Sequence, residues 1–377
     1  GELIRIRIYR NFPSHSDADL MEILEPQTQY RVLSPKCSLA GICGGCQYQH
    51  MTIESQRYWK TRHVQEALER ITKLTTLPNV QPTLGNDHIW NYRSKLTPHY
   101  DAPKKQQQDS SASSTVYEIG PMGFQQQSSR QLIDVPYCPI ATEAINHHWN
   151  QMRDILHHKA QTGTLASVKK GATLLLLDTE DGVVTDHNQY VSSYLDILMD
   201  NDDDDENVDE ISNTQMTDIS TQSNHPRRRR RLVFRFKAGN FFQVNPTMVP
   251  VMVDCMVRHA LQKGTLTHRM THVLDCYCGS GLFAIAMASH VQQCVGIEVN
   301  EKAVEEATMN ARLNNVTNCV FLAASAEAIF STNTKKIQGL VNNSTVSTTT
   351  TPSVDTFPRE TTVVVLDPPR KGCSDEF

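Results

Sequence analysis

Residues 272–300 constrain the chain more than any other stretch. His272-Val-Leu-Asp275-Cys-Tyr277-Cys-Gly279-Ser-Gly281-Leu-Phe-Ala-Ile-Ala-Met-Ala is followed, after a short gap, by Val295-Gly-Ile-Glu298-Val-Asn300. An apolar run ending in a carboxylate, two glycines, an apolar helical segment and a second acid-tipped run predict strand, glycine turn, helix, strand. Glycines let the backbone approach a ligand where a Cβ would obstruct, and a carboxylate at the tip of the second strand, Glu298, can accept both hydroxyls of a ribose. The expectation is a Rossmann-like α/β unit holding a nucleoside-bearing cofactor.

The glycines alone do not say which cofactor. Gly279, Gly281 and Ala284 fit dinucleotide spacing only loosely. Asp275 is more telling, because a carboxylate beside the turn repels a pyrophosphate but can pair with the ammonium of an amino acid. S-adenosylmethionine carries both a ribose and such an ammonium, and is the cofactor expected here. The plain alternative is a βαβ unit with no ligand.

A chain of 377 residues predicts two or three domains. It has no run of eighteen apolar residues and no signal peptide at Gly1–Arg10, so an intracellular, soluble monomer is expected. The missing initiator methionine suggests that the true N-terminus lies upstream. A net charge of -5 argues against a uniformly basic nucleic-acid binder, but eight acidic residues crowd into Asp200–Glu210. The remainder is mildly positive, which keeps an RNA partner open.

Three of ten cysteines fall within ten residues, in Cys37-x5-Cys43-Gly-Gly-Cys46. In a chain without a secretory signal this favours a metal over disulfides. The candidate fourth ligand is Cys138, followed by Pro139. Four thiolates can hold zinc or an iron–sulfur cluster; three clustered cysteines plus a distant Cys-Pro are more typical of a 4Fe-4S site than of zinc's two close pairs. His50 is read as a hydrogen-bonding neighbour.

Residues 1–31 alternate apolar and polar like short strands of a small β-domain. The residues from 32 to 199 then form a small α/β central domain, with an amphipathic helix over Thr52–Lys73, a basic and aromatic segment Trp90–Lys95, a hairpin over Glu118–Asp134, a helix around Ile145–Ile155 and a buried strand Leu174–Leu177. The segment 200–231, an acidic block ending in five arginines, is expected to be a disordered insertion. From 232 to 377 the cofactor unit is preceded by Phe241-Phe242-Gln243-Val-Asn245 and a helix from Thr247 to Leu261. It carries a polar insertion at 329–360 and ends in the strand Thr362–Leu366 with Asp367-Pro-Pro-Arg370. A carboxylate at the carboxyl end of a buried strand belongs at the ligand crevice of an open α/β sheet.

Taken in order, these motifs resemble the RNA uracil-C5 methyltransferases, which form 5-methyluridine in tRNA and rRNA. The resemblance rests on Cys37, Cys43, Cys46 and Cys138-Pro139; on Phe241-Phe242-Gln243-Val-Asn245; on Asp275-x-Tyr277-Cys-Gly279-x-Gly281; and on Glu298 and Asp367-Pro-Pro-Arg370. It implies that Gln243, Tyr277, Glu298 and Asp367 bind S-adenosylmethionine, that the four cysteines ligate a 4Fe-4S cluster, and that residues 1–31 end an OB-like β-barrel that binds RNA. Some members place a cofactor-touching asparagine after the second glycine; Leu282 stands there instead. In the family a cysteine thiolate adds to uracil C6, the resulting enolate takes the methyl group, and a base removes the C5 proton. The resemblance puts that cysteine and a glutamate base beyond Phe377, so no catalytic nucleophile or base is expected within these residues, and turnover is not expected of them alone. Cys373 is read as incidental, and Cys276 and Cys278 as packing residues. Two other readings are an amino-methyltransferase, against which Arg370 in place of an aromatic argues, and a non-catalytic iron–sulfur RNA-binding protein.

Overall fold

The computed structural model describes residues 2–72, 76–105, 117–165, 169–198, 229–261, 270–326, 357–369 and 372–373. The chain divides into two compact units, Gly1–Asp178 and Thr179–Phe377.

The first unit opens with an antiparallel pair, β1 (Leu3–Asn11) and β2 (Ser16–Glu25), whose strands face solvent along most of their length. Helix α1 (Ile53–Ile71) begins where the Thr52 hydroxyl accepts the Ser55 amide, as an N-cap should. Short strands follow: β3 (Lys95–Leu96), β4 (His99–Tyr100), β5 (Lys104–Lys105), β6 (Tyr117–Glu118), β7 (Met122–Gln125) and β8 (Leu132–Asp134). Helix α2 (Glu143–Gln161) starts at Thr142, and then come β9 (Ala172–Thr173) and β10 (Leu176–Thr179). Four of these strands form a sheet in the order β8-β7-β4-β9. One face of α2 buries Ile145 and Trp149, and the Trp149 indole donates to the Val135 carbonyl at 2.8 Å. The apolar positions of α2 thus meet the hairpin that leads to Cys138.

In the second unit β11 (Gly182–Val184) precedes a long antiparallel pair, β12 (Tyr190–Leu198) and β13 (Arg229–Lys237). The insertion expected at 200–231 lies outside the described residues as far as 228. Arg229–Arg231 extend β13 ahead of the apolar run at Leu232, because Asp196, Ile197 and Leu198 supply their pairing partners. The insertion at 329–360 also lies largely outside the described residues. Helix α3 (Val249–Leu261) is followed by β14 (His272–Cys276), α4 (Leu282–Met287), β15 (Gln293–Glu298), α5 (Glu301–Leu313), β16 (Cys319–Ala323) and β17 (Thr362–Leu366). The predicted strand–turn–helix–strand is therefore present, and the last strand spans the predicted residues.

These strands form a parallel sheet in the order β16-β15-β14-β17. The chain builds outward from β14 on one side and returns to its other side, so the order reverses at β14. Every residue of α4 is buried, as its unbroken apolar sequence requires.

Helix α5 carries a buried polar stripe, Glu306, Asn310 and Asn314, at 5%, 0% and 6% exposure. Four helical residues rise about 6 Å and two strand residues about 6.6 Å, so side chains at i, i+4 and i+8 can track alternate residues of a strand. They do so here. The Lys237 amide donates to Glu306 Oε1 (3.1 Å), the Arg235 amide to Asn310 Oδ1 (2.7 Å) and the Val233 amide to Asn314 Oδ1 (2.8 Å). The free edge of β13 is thereby satisfied by a helix instead of another strand.

Candidate functional site

The parallel register fixes one end of the sheet. Cys276 pairs with Ile297 on one side and with Leu366 on the other, so the next rung, at the end of the sheet, is made by Tyr277 and Asp367 just past β14 and β17 and by Glu298, the last residue of β15. Glu298 itself pairs with Ala323 of β16. Three of the residues predicted to touch a cofactor thus share one level, at the carboxyl ends, where the strand order reverses.

The glycine turn lies against this rung. Tyr277, Gly279 and Gly281 have φ of 64°, 53° and 88°. Left-handed backbone is easy for glycine and uncommon for tyrosine, so Tyr277 is held by its surroundings, the core cluster around Leu274, Cys276, Ile297 and Phe357. A Cβ on Gly279 would meet nothing within 4 Å, whereas one on Gly281 would come within 3.1 Å of the Phe321 ring. The first glycine borders open space; the second permits close packing on β16. Glu298 joins the turn to the rung. Its Oε2 accepts the Gly279 amide at 3.2 Å and its Oε1 the Asn300 amide at 2.9 Å, leaving one lone pair on each oxygen for a ligand.

Asp275 lies beneath the turn, fully buried. Its Oδ2 accepts the Ala284 amide at 3.0 Å in the first turn of α4, and its Oδ1 has no partner among the described residues. Burial raises its pKa from 3.8 to about 7, and the charges of Asp367 and Glu298 add to the rise. Asp367 is more exposed, and partial desolvation raises its pKa as well. Asp275, Glu298 and Asp367 therefore form one acidic group. Gln243 belongs to a different element, the loop between β13 and α3, where it is half-buried. Of the two phenylalanines before it, Phe242 stacks on Phe236 at 4.4 Å, whereas Phe241 is 78% exposed.

Asn310 is a further residue of this site that the sequence motifs do not mark. Besides binding the Arg235 amide, its Nδ2 donates at 3.1 Å to the carbonyl of Ser280, inside the glycine turn. A polar residue every fourth position along α5 was the available signal. Cys276 and Cys278 are buried, and burial pushes the Cys278 thiol well up, which suits packing and not nucleophilic chemistry.

In the first unit Cys37, Cys43, Cys46 and Cys138 are all free and half-buried. Burial raises the Cys43 thiol, with Cys46 and Cys37 adding to it. Burial likewise raises Cys138, and the same two neighbours contribute. Cys138 thus lies close enough to Cys37 and Cys46 to feel their charges. As placed, no group of three His, Cys, Asp or Glu side chains among the described residues is arranged to hold a metal ion. The donor set nevertheless suits a thiolate-bound centre. The Gly45 amide donates to Cys43 Sγ at 3.4 Å, and Asn146 clamps the backbone of Cys138, accepting from its amide at 2.9 Å and donating to its carbonyl at 3.0 Å. His50 is half-buried nearby in sequence, and burial lowers its pKa. No helix among the described residues is long and apolar enough to cross a membrane.

Residues 202–377 match the family model described as tRNA (Uracil-5-)-methyltransferase. Over its whole length the chain is 31% identical to the tRNA (uracil(54)-C(5))-methyltransferase of Schizosaccharomyces pombe and 28% identical to that of Saccharomyces cerevisiae, covering 60% and 58% of those proteins. Across 99% of its length it is 27% identical to a 23S rRNA (uracil(1939)-C(5))-methyltransferase of Legionella pneumophila, covering 76% of it. The chain thus spans about 60% of the length of the fungal relatives it matches. The model of the tRNA (uracil-5-)-methyltransferase family thus matches the part of the chain that holds the α/β unit, and the chain is similar along all of its length to proteins named as RNA uracil-C5 methyltransferases.

Proposed function

We propose that this chain is the cofactor-binding and RNA-contacting part of an enzyme that transfers a methyl group from S-adenosylmethionine to uracil C5 in tRNA or rRNA. The observation that carries the reading is the rung of Tyr277, Glu298 and Asp367 at the strand-order reversal, beside a glycine turn whose first glycine borders open space. Glu298 has acceptors left for ribose hydroxyls, the Tyr277 ring can border the adenosyl group, and the acidic trio suits a ligand carrying a sulfonium and an ammonium. Gln243, at the end of the β13 loop, supplies an amide for the cofactor's polar end. Gly279 and Gly281 keep the turn low enough for the nucleoside to lie across it. The bound cofactor supplies an electrophilic methyl group. A uridine must leave its stack to reach it, so the target is a loop or flipped base.

Within this reading residues 232–377 form the methyltransferase domain and 32–199 the central domain. Residues 1–31 contribute to an RNA-binding β-domain. Nucleoside analysis of tRNA and rRNA from cells lacking the gene tests the function. Loss of 5-methyluridine from one RNA class is expected; an unchanged 5-methyluridine content in both contradicts it.

Replacing Glu298 by Ala removes the partner of two backbone amides and the ribose acceptor. Cofactor affinity is expected to fall at least about tenfold, as for loss of a charged hydrogen bond, with little change in unfolding temperature. Equilibrium dialysis with labelled cofactor reads the difference.

The four cysteines are proposed to hold a 4Fe-4S cluster, whose place here is structural, tying the Cys37–Cys46 loop to the Cys138 segment. Anaerobically purified protein should be brown and contain iron and sulfide, and Cys43→Ser should bleach it. Stoichiometric zinc without iron would overturn the assignment.

A further inference from the structure

The β12–β13 ribbon has one buried face and one open face. Val191, Leu195, Leu232, Phe234 and Phe236 are buried. The opposite face presents Tyr190 and Tyr194, 43% and 42% exposed; on β13 the same face carries Arg229, Arg231, Val233, Arg235 and Lys237, with Lys237 directly across from Tyr190 and Val233 across from Tyr194. Arg231 lies over the Tyr194 ring at 4.4 Å, and Arg235 and Lys237 over the Tyr190 ring at 5.2 and 5.7 Å. Among the described residues one carboxylate is engaged: Arg231 pairs with exposed Glu180 at 2.8 Å, while Asp196 stands opposite Arg231 in register. Among the described residues Arg229, Arg235 and Lys237 have no ion pair. On a chain of net charge -5, this is a local concentration of uncompensated cations on an aromatic floor.

Such a floor does two things. It orders long cationic side chains before a partner arrives, reducing the rotamer entropy lost on binding, and it presents guanidinium groups on which an unstacked base can stack. Phosphates meet the cations and bases meet the planar groups, which is the chemistry of an unpaired RNA segment and not of an acidic peptide. The ribbon also reaches the cofactor turn through one side chain, since Asn310 accepts the Arg235 amide and donates to the Ser280 carbonyl.

We propose that the open face of the β12–β13 ribbon is an RNA-docking surface that binds the unpaired nucleotides flanking the target uridine. The proposal rests on the methyltransferase reading for its substrate, but not for its test. The full chain would be titrated without cofactor against a uridine-containing stem–loop RNA, and against a blunt duplex of the same length, over a range of salt concentrations. The parent should favour the stem–loop. Arg235→Ala/Lys237→Ala should weaken stem–loop binding and lower the salt slope by about 0.7 for each phosphate left without its cation. Tyr190→Ala/Tyr194→Ala should weaken it about tenfold per stacked base, while Tyr190→Phe/Tyr194→Phe, which keeps the rings, should bind like the parent. Circular dichroism and cofactor affinity should be unchanged in all variants. Parent-like affinity and salt slope in the Arg235/Lys237 variant, or no RNA binding by the parent, would overturn the proposal and leave the cofactor site standing. Failure of the parent to bind S-adenosylmethionine would instead sink the methyltransferase reading.

Discussion

Asp275→Asn is expected to stabilise the cofactor-free protein by up to about 4 kcal/mol above pH 7 and to leave its stability almost unchanged below the ordinary aspartate pKa. Folded, Asp275 holds its proton until about pH 7; unfolded, it releases it near 3.8. Between those values the unfolded chain has lost a proton that the folded chain retains, so stability falls as pH rises and levels off above about 7. The cause is burial of a carboxylate with one unpartnered oxygen, close to Asp367 and Glu298. An asparagine keeps the acceptor for the Ala284 amide and is never charged. Denaturant unfolding at several pH values checks this: the two proteins' curves should converge in acid and separate toward neutrality. The same change should weaken binding of a cationic cofactor, since the ionised carboxylate is what such a ligand would favour. Stability gained and affinity lost together is the mark of a residue retained for function.

Asn310→Leu is expected to act in the opposite direction, costing about 4 kcal/mol. Asn310 is fully buried, and its amide group satisfies both the Arg235 amide and the Ser280 carbonyl. Leucine fills a similar volume but leaves both backbone groups buried without partners, each costing about 1–3 kcal/mol. Because one of them belongs to the glycine turn, cofactor affinity should fall together with the denaturation midpoint. Leu313→Ala on the same helix, at a position 47% exposed, should do neither.

Local pattern made much of this architecture legible. The apolar runs tipped by Asp275, Glu298 and Asp367 became parallel strands, and the glycines between them became the left-handed turn, because strand, turn and helix signals there all act over a few residues. Helix α1 was also legible, from its apolar spacing. What stayed hidden depends on distant partners. Tyr190–Leu198 alternates as a strand should, but its pairing with Arg229–Lys237 crosses a long polar segment, so neither the ribbon nor its basic face follows from either half alone. The strand order β16-β15-β14-β17 is likewise non-local, and it is what puts Tyr277, Glu298 and Asp367 on one rung. The stripe on α5 was not legible either, because a buried polar residue can be told from a solvated one only when its partner is known.

The central claim is that the crevice above Tyr277, Glu298 and Asp367 takes an adenosyl sulfonium. Isothermal titration of the chain with S-adenosylmethionine and its demethylated product tests it directly. Saturable heat is predicted with both ligands, sharply reduced in Glu298→Ala and absent with a nicotinamide dinucleotide. No heat with either adenosyl ligand, together with clear binding of the dinucleotide, would contradict it.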